Sequence, residues 1–385
     1  MIYYVVFLCC FWILASYEHF YQKDAAWIVS LVLFVAIAGF RLETGWDWMT
    51  YEYYFNQLQS IANIQGADLS MELGFNFIIF ILKFFNLNFQ YFLFCVSLLT
   101  ALSIWFFFAV LVPQRIAFAL AIMYSFIYLA LDMTMMRQAL SCALVLVAMA
   151  FLIKRYVIIS IIFWLLSCLI HSSSIMLAGV YFFVLLKLSS VVVVGFYFTA
   201  FAVGALSFFL QFGLFEIVLR FLSGFDLGFI NNKINIYLNN DLSFEPSIGA
   251  LLYLSFYVMF SIIHQCMFYK KNLSFKVETF FLMLICLCMG FLLDFPILWS
   301  RVQFISIAIV ALILAKCLSS STEVLSKSTR NYVYLMCLIM SCLVHVYQLN
   351  RPSMDVFFPY NSVIHQIFDV QSYDGRIRYT NSIAN

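Results

Sequence analysis

Apolar residues fill this chain in blocks of near-constant length, separated by short polar turns. The blocks lie at about 2–17, 25–40, 89–112, 115–133, 136–153, 156–171, 173–188, 190–212, 248–269, 277–294, 297–317 and 331–349. A helix that spans the hydrocarbon core takes about 20 mainly apolar residues. The pattern therefore predicts an all-α polytopic membrane protein of about twelve transmembrane helices, folded as a single membrane domain over 1–385. Three polar stretches interrupt it: a loop over 41–88, a larger loop over 213–247 and a tail over 350–385. Within the first loop, the run from Glu72 to Phe85 has 14 residues. At 1.5 Å per residue it reaches roughly 21 Å, short of the roughly 30 Å core. It also carries Asn76 and Lys83. These features predict a short re-entrant or interfacial helix that returns to the side it came from.

Composition agrees with lipid as the main solvent. Hydrophobic residues make up 65% of the chain and charged residues 10%, with a mean hydropathy of +1.02, whereas soluble domains carry about 25% charged residues. The aromatic share of 20% suits lipid-facing helices and interfacial belts. The eleven cysteines fall mostly inside apolar runs without metal-like or disulfide spacing, so they read as small packing residues. The first run lacks a basic leader and a small-residue cleavage site, and is expected to be a retained helix.

With the short helix re-entrant, both termini lie on one face. The opposite face then holds eleven cations, among them Lys23, Arg115, Lys154, Arg155, Lys270 and Lys271, against four acids, for a net +7. The terminus-bearing face holds 9 cations and 14 acids, a net of −5. The positive-inside rule puts both termini outside the cytoplasm. Eight of the eleven inner cations are Lys, while seven of the nine outer ones are Arg. Arginine is the residue whose planar fork holds carboxylates and phosphates.

The polar residues at helix ends gather on that outer face: Arg41, Glu43 and Asp47 after the second span, Glu72, Asp132 and Arg137, His171 with its following serines, and Asp294 and Arg301 around Pro296. Ionisable groups at membrane depth are costly and usually line a cavity or site. Local pairing of Asp132 with Arg137, and of Asp294 with Arg301, is the structural alternative. His264 and His345, inside apolar spans without acidic sequence neighbours, read as structural; Glu216, Arg220, Asp226 and Lys233 form either a lid or a solvated surface. A glycine-rich phosphate loop, histidines at ligand spacing and a DxD pair are all missing, which narrows the chemistry, and nothing points to nucleic acid. An outer-face site acts on membrane-borne or extracytoplasmic substrates. There, arginines hold a charged leaving group and a carboxylate or imidazole takes a proton from a hydroxyl.

The run Arg41-x3-Gly45-x-Asp47-x3-Tyr51, then Glu72-x-Gly74-Phe75, Arg137-Gln138, His171-Ser172, Arg301 and Pro359-Tyr360 resembles the EpsG/Wzy-type polysaccharide polymerases over about residues 41–360. One departure is a first inner loop with Lys23 alone, poorer in basic residues than is usual for relatives. The resemblance implies a GT-C-like membrane glycosyltransferase of a bacterial inner membrane, with its active site facing the periplasm. Its partners would be undecaprenyl-diphosphate-linked oligosaccharides, membrane lipids and a chain-length regulator protein. The product would be O-antigen, capsule or exopolysaccharide. On that reading Arg137, Arg301 and Arg41 hold the diphosphate, while Gln138, Tyr51, Tyr360 and Asp294 bind sugar. His171, Asp47 and Glu72 are the candidate catalytic residues. His171 is favoured as base because an imidazole's ordinary pKa, about 6.5, suits proton acceptance near neutrality. Asp47 and Glu72 are expected to orient arginines or bind sugar hydroxyls. The competing classes are a ligase, a flippase for lipid-linked sugars and a membrane O-acyltransferase. A flippase is expected to place functional groups at mid-membrane and toward both faces. An acyltransferase would use His171 without needing so many outer arginines.

Overall fold

The computed structural model describes residues 1–21, 25–58, 71–178, 181, 188–210, 213–225, 248–268, 273–293, 296–319, 325–351, 357–358 and 360–363. Among these residues regular structure is helical, apart from one isolated antiparallel bridge between Arg41 and Ser362. Eight helices are long and apolar enough to cross a membrane, and four shorter apolar stretches accompany them. Eleven of the twelve predicted runs correspond to helices. The exception, 173–188, lies largely outside the described residues, and its described start is the 3-10 turn Ser172–Ala178. The chain packs as two compact units: Met1–Met176 with Val310–Asn385, and Leu177–Ile309.

The first unit contains α1 (Ile2–Tyr21), α2 (Ala26–Gly39), α3 (Trp48–Gln57), α4 (Leu73–Phe84), α5 (Phe89–Leu111) and α6 (Ile116–Met123). It continues with α7 (Met136–Ile153) and α8 (Val157–Ile170). The terminal helix Lys327–Leu349 also belongs to it. In α1 the buried residues Tyr4, Leu8, Phe11, Trp12 and Ala15 recur at helical spacing. A π turn, Tyr124–Tyr128, follows α6. Such turns free main-chain carbonyls, and two of them are taken up. Gln348 Nε2 donates to Phe126 O at 2.7 Å, and His345 Nδ1 lies 3.4 Å from Ser125 O. His345 thus has a structural partner. Almost the whole of α7 is buried, whereas α8 buries few residues and turns Ile158, Leu165 and Leu169 outward.

Contacts at the two ends fix the direction of these helices. At one end, Tyr4 Oη donates to Phe357 O, Tyr360 Oη to Ile37 O, and Gln90 Nε2 to Gly39 O. At the other, the buried Glu18 carboxylate accepts the main-chain N–H groups of Ala117 and Phe118, while Arg115 donates to Glu18 O and Leu318 O. The C-terminal end of α2 and the N-terminal end of α5 therefore meet. The chain from 40 to 89, including α4, starts and finishes at one end of the bundle. With 12 residues, α4 is about 18 Å long.

The second unit holds α9 (Ser190–Leu210), α10 (Leu214–Ser223), α11 (Ile248–Phe268), α12 (Leu273–Phe291) and the first part of α13 (Pro296–Leu318). The start of the predicted 213–247 loop is helical: α10 carries an exposed Arg220–Glu216 pair at 2.6 Å. Asp226 and Lys233 lie outside the described residues. His264, expected to lack an acidic neighbour, sits 3.2 Å from the Glu278 carboxylate across the α11–α12 hairpin, and both are buried. The neighbour comes from the next helix, which sequence proximity does not reveal.

Candidate functional site

Three motifs far apart in sequence meet at one end of the first unit. Helix α8 stops at His171, whose backbone turns extended, and Ser172 opens a 3-10 turn. That turn is held down by Trp164 Nε1 donating to Ser174 O at 3.0 Å and by Ser141 Oγ bonding both Ser167 O and Ser174 Oγ. Against this corner lies the first turn of α4. A Cβ on Gly74 would come within 2.8 Å of Leu169 O and 2.9 Å of Leu169 C. Only glycine lets α4 approach the α8 backbone this closely. The approach delivers Glu72, the residue before α4, to the end of α8.

Glu72 is the hub. Its Oε2 accepts from Arg137 Nη1 at 2.9 Å, and its Oε1 from His171 Nδ1 at 2.9 Å. Oε1 also accepts Ser172 N at 3.2 Å and Ser172 Oγ at 3.3 Å. Burial alone would raise the Glu72 pKa. The His171 hydrogen bond, the Ser172 N–H and the nearby imidazole charge outweigh it and bring the pKa down to about 2. An ionised carboxylate only accepts hydrogen bonds, so His171 donates from Nδ1, and in the neutral imidazole Nε2 is then the accepting nitrogen. The cluster is partly open, with side-chain exposures of 25% for Arg137, 22% for Glu72 and 14% for His171.

Aromatic rings brace the arginine. Its guanidinium lies 5.9 Å from the ring centres of both Tyr51 and Phe75, and Arg137 also hydrogen-bonds Tyr51. Phe75 is fully buried against Tyr51 and Phe92. Asn76, an oddity in an apolar helix, accepts from Tyr54 Oη at 2.8 Å and donates to Met71 O at 3.1 Å, which ties α4 to α3.

The expected residues divide as follows. His171, Glu72, Arg137 and Tyr51 come together. Asp47 precedes α3 one turn before Tyr51 and acts on it electrostatically. Gln138 follows Arg137 in the first turn of α7 and is 4% exposed. Arg41 and Tyr360 are buried. Arg41 is 1% exposed, with Nη1 donating to Asp132 O at 2.8 Å and to Ala38 O at 3.4 Å. Tyr360 is 5% exposed, its hydroxyl bonded to Ile37 O at 2.8 Å. Each of the two thus commits a polar atom to main-chain carbonyls. Asp132 neighbours Arg41, and its expected pairing with Arg137 gives way to the Arg137–Glu72 pair. Asp294 lies outside the described residues, as does the side chain of Arg301 on α13. Gly74, Ser172 and Asn76 are site-building residues whose roles the sequence reading left unassigned.

The apolar helices define an all-α polytopic membrane protein, and at one end of its first unit a carboxylate bridges an arginine and an imidazole. The EpsG family model matches residues 24–362, and the chain belongs to that family, the EpsG/Wzy-type polysaccharide polymerases. The family's activity is polysaccharide polymerisation, a glycosyl-transfer activity. Neither curated proteins nor solved structures give a match.

Proposed function

We propose that the chain joins oligosaccharide repeat units carried on undecaprenyl diphosphate, at the periplasmic face of the bacterial inner membrane. The observation that carries this reading is Glu72 held between Arg137 and His171 at 2.9 Å each. In the reaction, an acceptor sugar hydroxyl attacks the anomeric carbon of the growing chain. A C–O bond forms to the acceptor oxygen, and the bond between the anomeric carbon and the diphosphate oxygen breaks. The hydroxyl proton passes to His171 Nε2, and the diphosphate leaves with the bonding electron pair. Arg137 stabilises the charge developing on that leaving group. Glu72, ionised at neutral pH, is unsuited to be the base; it orients the imidazole and supports the imidazolium that forms. Tyr51 and Phe75 brace the guanidinium, whose carbon lies 5.9 Å from each ring centre. Arg301 and Asp294 remain assigned to diphosphate and sugar, respectively, on the family resemblance alone.

The test uses the purified full chain in lipid nanodiscs with a synthetic lipid-diphosphate-linked repeat unit. A ladder of polymer with one lipid diphosphate released per bond is expected, and His171→Ala should abolish it. Folded wild-type protein that releases no lipid diphosphate, or His171→Ala with normal turnover, would refute the assignment.

A further inference from the structure

Beside the Glu72 cluster lies a second set of buried groups that the reaction does not use. Arg41 reaches the turn that precedes α7: its Nη1 donates to Asp132 O at 2.8 Å and to Ala38 O at 3.4 Å. Four residues on, Gly45 has φ +102°, and a Cβ there would fall 2.2 Å from Met133 O. Two points of the 41–45 loop thus press on two consecutive residues of one turn. The same loop is held from behind by the tail. Leu42 N donates to Asn361 O at 3.0 Å, Val363 N donates to Phe40 O at 2.9 Å, and Arg41 bridges Ser362. Tyr360 adds its bond to Ile37 O at 2.8 Å, and Phe357 O accepts from Tyr4 at 3.0 Å. Asp132, Met133, Phe357, Asn361 and Ser362 are all buried.

The turn so gripped runs directly into the first turn of α7, where Ala139 N donates to Met135 O at 2.9 Å and Arg137 projects to Glu72. Arg41 is a costly way to hold a turn. Its Nε and Nη2, and Asp132 Oδ2, find no hydrogen-bond partner among the described residues. A buried cation with unmet donors is expensive, and its position suits an anchor whose geometry matters more than its stability.

We propose that the Arg41–Gly45 loop and the Tyr360–Val363 tail form an anchor that positions Arg137 by fixing the Asp132–Met135 turn. Arg41 and Tyr360 are then positioning residues and touch no substrate. The inference rests on the reading of Arg137 as the cation that holds the leaving group.

The experiment compares Tyr360→Phe, Gly45→Ala and Arg41→Lys in nanodiscs by two readouts. The first is amide hydrogen exchange over residues 132–139, which reports the turn whether or not the protein polymerises. The second is kcat and KM with a lipid-diphosphate-linked repeat unit. Losing one hydrogen bond is expected to speed exchange about 2–10-fold in Tyr360→Phe, with a larger rise in Gly45→Ala. Both variants keep every cation, yet kcat should fall with exchange, and Arg41→Lys should fall between them. In an Arg137→Ala background, Tyr360→Phe should lower the residual rate no further. Unchanged exchange in all three variants overturns the anchor, whatever the polymer yield. So does an Arg41→Lys variant that loses activity while its turn exchanges like wild type, because Arg41 would then act on substrate. Fully additive losses with Arg137→Ala overturn it as well. If instead Arg137→Ala polymerises normally, the catalytic reading fails, and the exchange data alone still decide whether the turn is anchored.

Discussion

Replacing Glu72 with Gln keeps the shape of the hub and removes its charge. In the native cluster one oxygen serves Arg137 and the other serves His171 and Ser172. A glutamine must turn its NH2 toward one of these donors, so one charge-assisted hydrogen bond is lost outright. Such a bond is worth about 1.5–3 kcal/mol, or roughly 10–150-fold. An imidazole that has lost its orienting acceptor forfeits part of the about 10²–10⁴-fold that a positioned base supplies. We expect kcat to fall about 10²–10³-fold, with a smaller change in KM because Arg137 remains. The pH dependence sharpens the test. Glu72 is ionised well below its ordinary range, down to about 2. Its depressed pKa means the stabilising contacts are complete above the ordinary carboxylate pKa and vanish only as pH falls through about 2. Glu72 therefore stays ionised from pH 5 upward, and the deficit of Glu72→Gln should persist throughout that range. The assay is initial-rate release of lipid diphosphate from pH 4.5 to 9. Wild-type turnover in Glu72→Gln would refute the argument, and so would a deficit that disappears at pH 5, which would mean Glu72 is already protonated there.

Arg137→Lys keeps one charge near Glu72 but loses the planar contact with Tyr51 and Phe75; most polymer should disappear at unchanged protein level, and normal chains would exclude a bidentate clamp. Gly74→Ala should lower both thermal stability and turnover, because its Cβ meets Leu169 O at 2.8 Å, whereas Gly195→Ala, with nothing within 4 Å, should be neutral or stabilising. Equal effects at the two glycines would contradict the close α4–α8 approach. Reporter fusions after residue 350 and within 213–247 are expected to read as periplasmic, and fusions at 154–155 and 270–276 as cytoplasmic; a cytoplasmic C-terminus would remove the outer-face assignment.

The helices were legible in the sequence because lipid imposes one rule along their whole length: about 20 apolar residues without a break. Even the short α4 announced itself through its length and through Asn76 and Lys83. The packing was less visible. Asn76 marks an internal tie to Tyr54 and Met71 rather than a polar group facing a pathway, and the two uses of a polar residue in an apolar helix look alike in one dimension. His264 shows the converse. Its Glu278 partner lies on the next helix, so a search for acidic neighbours along the chain passes over it.

The site shows a subtler limit. Motif order and one-sided charge brought Glu72, Arg137 and His171 into view as chemistry-bearing residues, and these three do meet. The same reasoning gave Arg41 and Tyr360 substrate contacts, because an arginine or tyrosine at a helix end near an outer face has the right chemistry for one. What the sequence does not carry is the direction of the side chain. Arg41 directs its Nη1 at the carbonyls of Ala38 and Asp132, and a main-chain carbonyl is a partner that every residue type offers and no motif records. Glu72 differs because its partners are side chains with their own motifs, so each of the three pointed to the others. Residues that take one another's side chains as partners are recoverable from pattern. Residues that hold the backbone beneath them share the motif but give no sign of which task they perform, and only Gly45, confined by a positive φ against Met133 O, betrays that a turn is being gripped.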